Sequence, residues 1–153
     1  MDALKALLSD FDFGGLILDL STVLGWLELA VRVAVMAGPI LLLGFGLVFL
    51  VAAPKEANFG LGYRFWWSMA SLEVWQFSQR LAGMVWTALG AVLTIVMALV
   101  SNGFRDLAPM DMVWRGGKCV LWELGLTALA CIVIDVVIVI CFDYNGYRRK
   151  RKQ

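Results

Sequence analysis

Histidine is absent from this chain. That removes imidazole acid–base chemistry and His-ligated metal sites. Charge is scarce as well: 16% of residues are Asp, Glu, Lys or Arg, against about 25% in an ordinary soluble domain. The cysteines, Cys119, Cys131 and Cys141, are odd in number and form no Cys-x-x-Cys pair, so they support neither a zinc site nor a disulfide framework. The opening MDALKALLSDFD lacks a basic start and does not read as a cleaved signal peptide. No nucleophile stands at a recognisable spacing from a base. These absences predict a protein that is not an enzyme and needs no metal or cofactor.

What is present is apolar. Hydrophobic residues make up 61% of the chain, and the mean hydropathy is +0.82. The predicted fold class is an all-α membrane protein. Val33–Ala53 carries no charge and is long enough to cross a hydrocarbon core of about 30 Å. Pro39 is placed to kink it, and Gly38, Gly44 and Gly46 admit a neighbouring helix. A second span covers Leu81–Val100, with a small-residue seam of Gly83, Thr87, Gly90, Ala91, Thr94 and Ala98. A third covers Val120–Phe142. Residues 13–31 are also apolar but contain Asp19 and Glu28, each costing roughly 2.5–3.5 kcal/mol near a helix centre in lipid. Arg32 leads directly into the first span, leaving no room for a reversal. Residues 1–32 are therefore expected to form an amphipathic or steeply tilted interfacial helix, with Trp26 at headgroup level. The membrane domain is residues 33–142, followed by a basic tail, 143–153.

Lys and Arg set the orientation. The tail RRKRK (Arg148–Lys152) and the 54–80 loop together carry eight, against five for the N-terminal segment and the 101–119 loop. The positive-inside rule then places the tail and the 54–80 loop in the cytoplasm and the N-terminus outside. The tail reads as a topology anchor and not as a nucleic-acid patch.

The 54–80 loop, PKEANFGLGYRFWWSMASLEVWQFSQR when written to Arg80, is richer than a connection requires. Pro54 ends or bends the first span. Asn58, Gly60 and Gly62 are turn chemistry, and Tyr63, Trp66 and Trp67 suit a membrane interface. Ser68 or Ser71 is positioned to cap a helix with Glu73 in its first turn, and that helix continues without a breaker into the second span. The order Pro54-x3-Asn58-x3-Gly62-Tyr63-Arg64-x3-Ser68-x4-Glu73-x-Trp75, ending in Gly83, resembles the signature of the SdpI family of small bacterial integral membrane proteins. Phe65 stands where the family usually has Thr, and Ser78-Gln79 where it usually has Ala-Asn.

The resemblance implies a protein of the bacterial cytoplasmic membrane, related to immunity against a secreted toxin peptide or to envelope signalling through a cytoplasmic repressor. It marks Asn58, Gly62, Tyr63, Arg64, Ser68, Glu73 and Trp75 as the motif. Read chemically, Arg64 offers a five-donor fork for Glu73, a lipid phosphate or a peptide carboxylate. The loop is expected to be a rigid platform at the membrane face, with Arg64–Glu73 and Tyr63 at its centre. Two further acids lie in the third span. Asp135 is expected near its middle, with Thr87 or Thr94 as partner. Glu123 is expected near its outer end, within reach of Lys118 or Arg115. They support an alternative, a small transporter or channel subunit using Asp135 and Glu123; another is an accessory subunit of a larger membrane complex. The expected partners are membrane lipids and, beyond them, a second copy of the chain or a larger membrane complex, with no nucleic acid.

Overall fold

The computed structural model describes residues 13–54, 60 and 62–149, with side chains from Asp19 onward. Three long helices account for most of them: α1 (Phe13–Val51), α2 (Leu72–Asn102) and α3 (Pro109–Cys141). All three are long and apolar enough to cross a membrane, over Asp19–Val51, Leu72–Asn102 and Pro109–Cys141. Their outward faces are hydrocarbon. Leu41, Leu99 and Ile140 are 59%, 68% and 65% exposed, a continuous apolar surface that lipid, not water, must cover.

The ends of the helices follow local chemistry. Ser71 sits in extended conformation before α2, and its Oγ accepts from Val74 N at 3.3 Å, with Glu73 in the first turn. Of the two serines considered for this cap, Ser71 is the one used. Pro109 opens α3, where its missing N–H would have had no partner in any case. The acidic first turn at Asp111 suits the helix dipole.

Two boundaries differ from the sequence reading. α1 continues through Arg32 without a break, so a separate N-terminal interfacial helix is not shown; residues 1–12 lie outside the described residues. The charges in this stretch have a partner: Arg32 Nη2 lies 2.7 Å from Glu28 Oε1, one turn away, and Arg105 approaches the same oxygen at 3.9 Å. A paired Glu28 removes much of the objection to a helix here. The second difference is at α3, which starts 11 residues before Val120. Most of the expected 101–119 loop is helix, and only 103–108 connects α2 to α3.

Glycine contacts fix the packing. A Cβ added to Gly46 would collide with Thr87 N; one on Gly90 would lie 2.5 Å from Leu43 N, and one on Gly83 3.0 Å from Leu50 N. α1 and α2 are therefore antiparallel with their backbones nearly touching, as small residues permit in lipid. Gly44 faces open space and plays no part in this. A Cβ on Gly116 would meet Val31, and one on Gly38 would meet Glu123, so α3 runs parallel to α1. These registers leave the first turns of α1 projecting past the other two helices, which is why residues 19–26 are exposed. Two buried clusters result. Phe49, Tyr63, Val74, Ile134, Ile138 and Phe142 pack at the loop end. Val35, Leu93, Met97, Phe104 and Met112 pack toward the other.

Gly90→Leu is expected to destabilise the bundle by about 1–3 kcal/mol or more through overpacking, whereas Gly44→Leu leaves it nearly unchanged. Thermal unfolding of both variants in detergent, followed by circular dichroism, checks the difference.

Candidate functional site: the Tyr63 latch

Residues 62–71, ahead of α2, are arranged around the backbone of one residue, Tyr63. The side-chain amide of Gln79, on α2, accepts from Tyr63 N through Oε1 at 2.7 Å and donates from Nε2 to Tyr63 O at 2.9 Å. Gln79 is fully buried, and it satisfies both polar groups of a backbone unit that would otherwise be costly to bury. Gly62 makes this approach possible. It has φ +141°, and a Cβ there would sit 2.6 Å from the Trp75 ring. Trp75, fully buried one turn before Gln79, donates from Nε1 to Pro54 O at 2.9 Å and so ties down the end of the first span.

Ser68 closes the turn. Its Oγ accepts from Phe65 N at 2.8 Å and lies 2.7 Å from Phe65 O and 3.3 Å from Tyr63 O. The residues Trp67–Met69 form a single tight helical turn, and Ser71 Oγ donates to Gly146 O at 2.9 Å. That last bond brings in the chain after α3. Asp143 Oδ1 accepts from Asn145 N and Tyr147 N, at 3.1 and 2.7 Å, and Arg149 N donates to Cys141 O at 2.9 Å. The result is a small hairpin over residues 142–149. Gly146 has φ +77°, and a Cβ there would strike Ser71. The 54–80 loop and the start of the tail thus lie at one end of the bundle, with the 103–108 connection at the other.

Held this way, the Tyr63 ring reaches into the bundle. It packs edge-on to Trp86 at 5.8 Å between centroids. Its hydroxyl donates to Asp135 Oδ1 at 2.6 Å and lies 3.1 Å from Cys131 O. Tyr63 is 7% exposed. Burial, reinforced by the Asp135 carboxyl group, pushes its phenol well above the ordinary tyrosine range. The hydroxyl therefore keeps its proton and remains a donor. One residue of the connector is gripped by α2 through its backbone and by α3 through its side chain.

The motif residues divide accordingly. Gly62 and Tyr63 meet Gln79, Trp75 lies beneath Gly62, and Ser68 bonds to Phe65 and Tyr63. Arg64 and Glu73 are exposed, and no ion pair joins them among the described residues; the centre of the platform is Tyr63 and not an Arg64–Glu73 pair. Asn58 lies outside the described residues. Asp135 is six residues from the end of α3 and meets Tyr63 in place of Thr87 or Thr94. Glu123, with α3 starting at Pro109, stands near mid-helix instead of at the outer end. It packs against Gly38, and neither Lys118 nor Arg115 pairs with it.

A family model described as the SdpI/YfhL protein family matches residues 55–142. The chain belongs to this family. The match takes in the loop, α2 and α3, the parts that Tyr63 joins; α1 lies outside it. The SdpI/YfhL family is not a known enzyme family. No curated protein and no solved structure matches the chain.

Gln79 is the residue that sequence reasoning missed. It stands where the family resemblance leads one to expect Asn, yet it keeps the carboxamide that grips Tyr63. Its place one turn beyond Trp75, on the same helix face, was the available signal. The 142–149 hairpin was also missed, although Asp143 and Asn145-Gly146 are turn chemistry.

Gln79→Leu leaves the buried Tyr63 N–H unsatisfied, at about 1–3 kcal/mol, and its C=O with only Ser68 Oγ at 3.3 Å. It is expected to raise amide exchange across residues 62–70 by about tenfold or more. Tyr63→Phe removes only the hydroxyl and is expected to produce a smaller rise in the same segment. Hydrogen-exchange mass spectrometry on the detergent-solubilised protein reads both.

Proposed function

We propose that this membrane protein acts without catalysis, protecting its cell against a secreted membrane-active peptide or relaying envelope stress, with the 54–80 loop as its working surface. The observation that carries the reading is the position of Tyr63, bonded at once to α2 and α3. A toxin that shifts the packing of the helices changes the Gln79 and Asp135 contacts together, and so alters the shape of the loop. Membership of the SdpI/YfhL family supports the same surface, since the matched region begins with this loop.

The charge pattern supports a cytoplasmic loop. Arg64, Arg80, Arg148 and Arg149 are all exposed, and they share the end of the bundle formed by the loop and the hairpin. Trp66, Tyr144 and Tyr147 are 82%, 74% and 71% exposed around them, as rings at a headgroup layer are. Arg64, free of Glu73, presents its donors to lipid phosphate or to the carboxylate of a repressor or toxin peptide.

The reading is tested by expressing the protein in a bacterium sensitive to a secreted killing peptide and measuring survival. Gln79→Leu is expected to abolish protection with the protein still in the membrane. Arg64→Ala is expected to reduce it by about tenfold, a loss of one charge-assisted contact, with exchange across 62–70 unchanged. Full protection by Arg64→Ala would leave the exposed fork without a role.

The transporter reading has one observation in its favour: Glu123 is buried at mid-helix with Oε1 lacking any hydrogen-bond partner. Asp135 is about 18 Å away along the same helix and is covered by Tyr63. If transport is the function, Asp135→Asn abolishes a pH-dependent flux in liposomes; under the immunity reading no such flux exists to be lost.

A further inference from the structure

Halfway along the bundle, α1, α2 and α3 line a half-open cavity of about 410 Å3. That is within the size range of small-ligand sites, about 300–1,000 Å3. Its walls are apolar: Pro39 and Leu42 from α1, Leu93 from α2, Val120 from α3. One ionisable group lines it. Glu123 is 4% exposed, and its Oε1 is buried with no hydrogen-bond partner. Leu41 and Phe45 form part of the rim and are 59% and 49% exposed on the outside of the bundle, so the mouth faces lipid.

The chemistry of an occupant follows from what is missing. An unpaired carboxylate taken out of water costs several kcal/mol, and no cationic residue lines the cavity, so Glu123 is relieved either by a proton or by a cationic occupant. Pro39 has no N–H, so the carbonyl of Val35, four residues earlier, also lacks its helical donor. Trp86, also in the lining, carries a buried indole N–H without a partner, so the walls offer that donor beside the Glu123 carboxyl group. A hydrated metal cation is a poor fit, because it needs about six oxygen ligands and these walls are mostly hydrocarbon. A neutral hydroxyl answers the hydrogen bond but not the charge. A protonated amine answers both, and its hydrocarbon portion fills the remaining space.

We propose that this cavity binds a lipid-dissolved amphiphilic amine, with its apolar body between Leu42, Leu93 and Val120 and its ammonium donating to Glu123. The site shares the Trp86 ring with the Tyr63 latch but does not depend on the immunity reading.

The test uses the full chain in nonionic micelles, with dodecylamine as probe and dodecanol as its uncharged counterpart, titrated by calorimetry. The expected result is saturable binding of one amine per chain, at least about tenfold tighter than the alcohol. Glu123→Gln preserves shape and an acceptor oxygen but removes the charge; it is expected to weaken the amine by about tenfold or more. Leu42→Trp fills the cavity without touching the carboxyl group and is expected to remove binding, with helix content unchanged by circular dichroism. Should Glu123→Gln fail to fold, the amine–alcohol comparison and Leu42→Trp decide the matter. No saturable amine binding, equal binding of amine and alcohol, or amine binding indifferent to Glu123→Gln in a folded protein would each overturn the proposal. So would binding that survives Leu42→Trp.

Discussion

The pairing of the Gln79 amide with the backbone N–H and C=O of Tyr63 is the contact on which the loop end of this molecule depends. A connector that folds back into a membrane bundle carries backbone N–H and C=O groups into a place with little water to satisfy them. Regular structure solves that problem for helices, but residues 62–66 are not helical. One buried carboxamide, with a donor and an acceptor in the right order, supplies both bonds. With Tyr63 held there, its ring carries the link to Asp135.

The remaining loop contacts support this one. Trp75 makes the floor beneath Gly62, and its indole N–H fixes Pro54. Ser68 keeps the following turn closed, and Ser71 joins it to the hairpin after α3 through Gly146. Aromatic contacts between Phe77 and Phe142, and between Trp67 and Tyr144, bind the same two segments from either side. The Gly-Tyr-Arg sequence occurs twice in this region, at Gly62–Arg64 and Gly146–Arg148. Both glycines have positive φ, but Tyr63 is buried and Tyr147 is 71% exposed. The repeated letters share a turn requirement and nothing else.

The two acids of α3 show how strongly a helix boundary governs chemical interpretation. Read from hydropathy, α3 begins at Val120, because Arg115, Lys118 and the glycine pair look like loop. Folded, it begins at Pro109, with those charges exposed on a helix already under way. The shift exchanges the settings of the two carboxyl groups. Asp135 moves to the loop end, where Tyr63 awaits it, and Glu123 moves to the middle, where it faces Gly38 and the cavity. Neither partner is near its acid in the sequence, and neither partner is a charge.

Composition and hydropathy by themselves determined that this is a membrane protein with three spans, because no soluble core accommodates so much apolar surface on so short a chain. The small residues Gly46, Gly83 and Gly90 were legible as packing positions for the same reason: in lipid, contact favours whatever lets backbones approach. The motif spacing identified the family and picked out Gly62, Tyr63, Ser68 and Trp75. Tertiary structure alone decided which polar groups meet. Hydrogen bonds of under 3 Å join residues 16 and 72 positions apart, and such pairings depend on helix register, which no local pattern encodes. It also decided that Arg64 and Glu73, close in sequence and opposite in charge, remain apart, since both sit on solvated surface where an ion pair gains little.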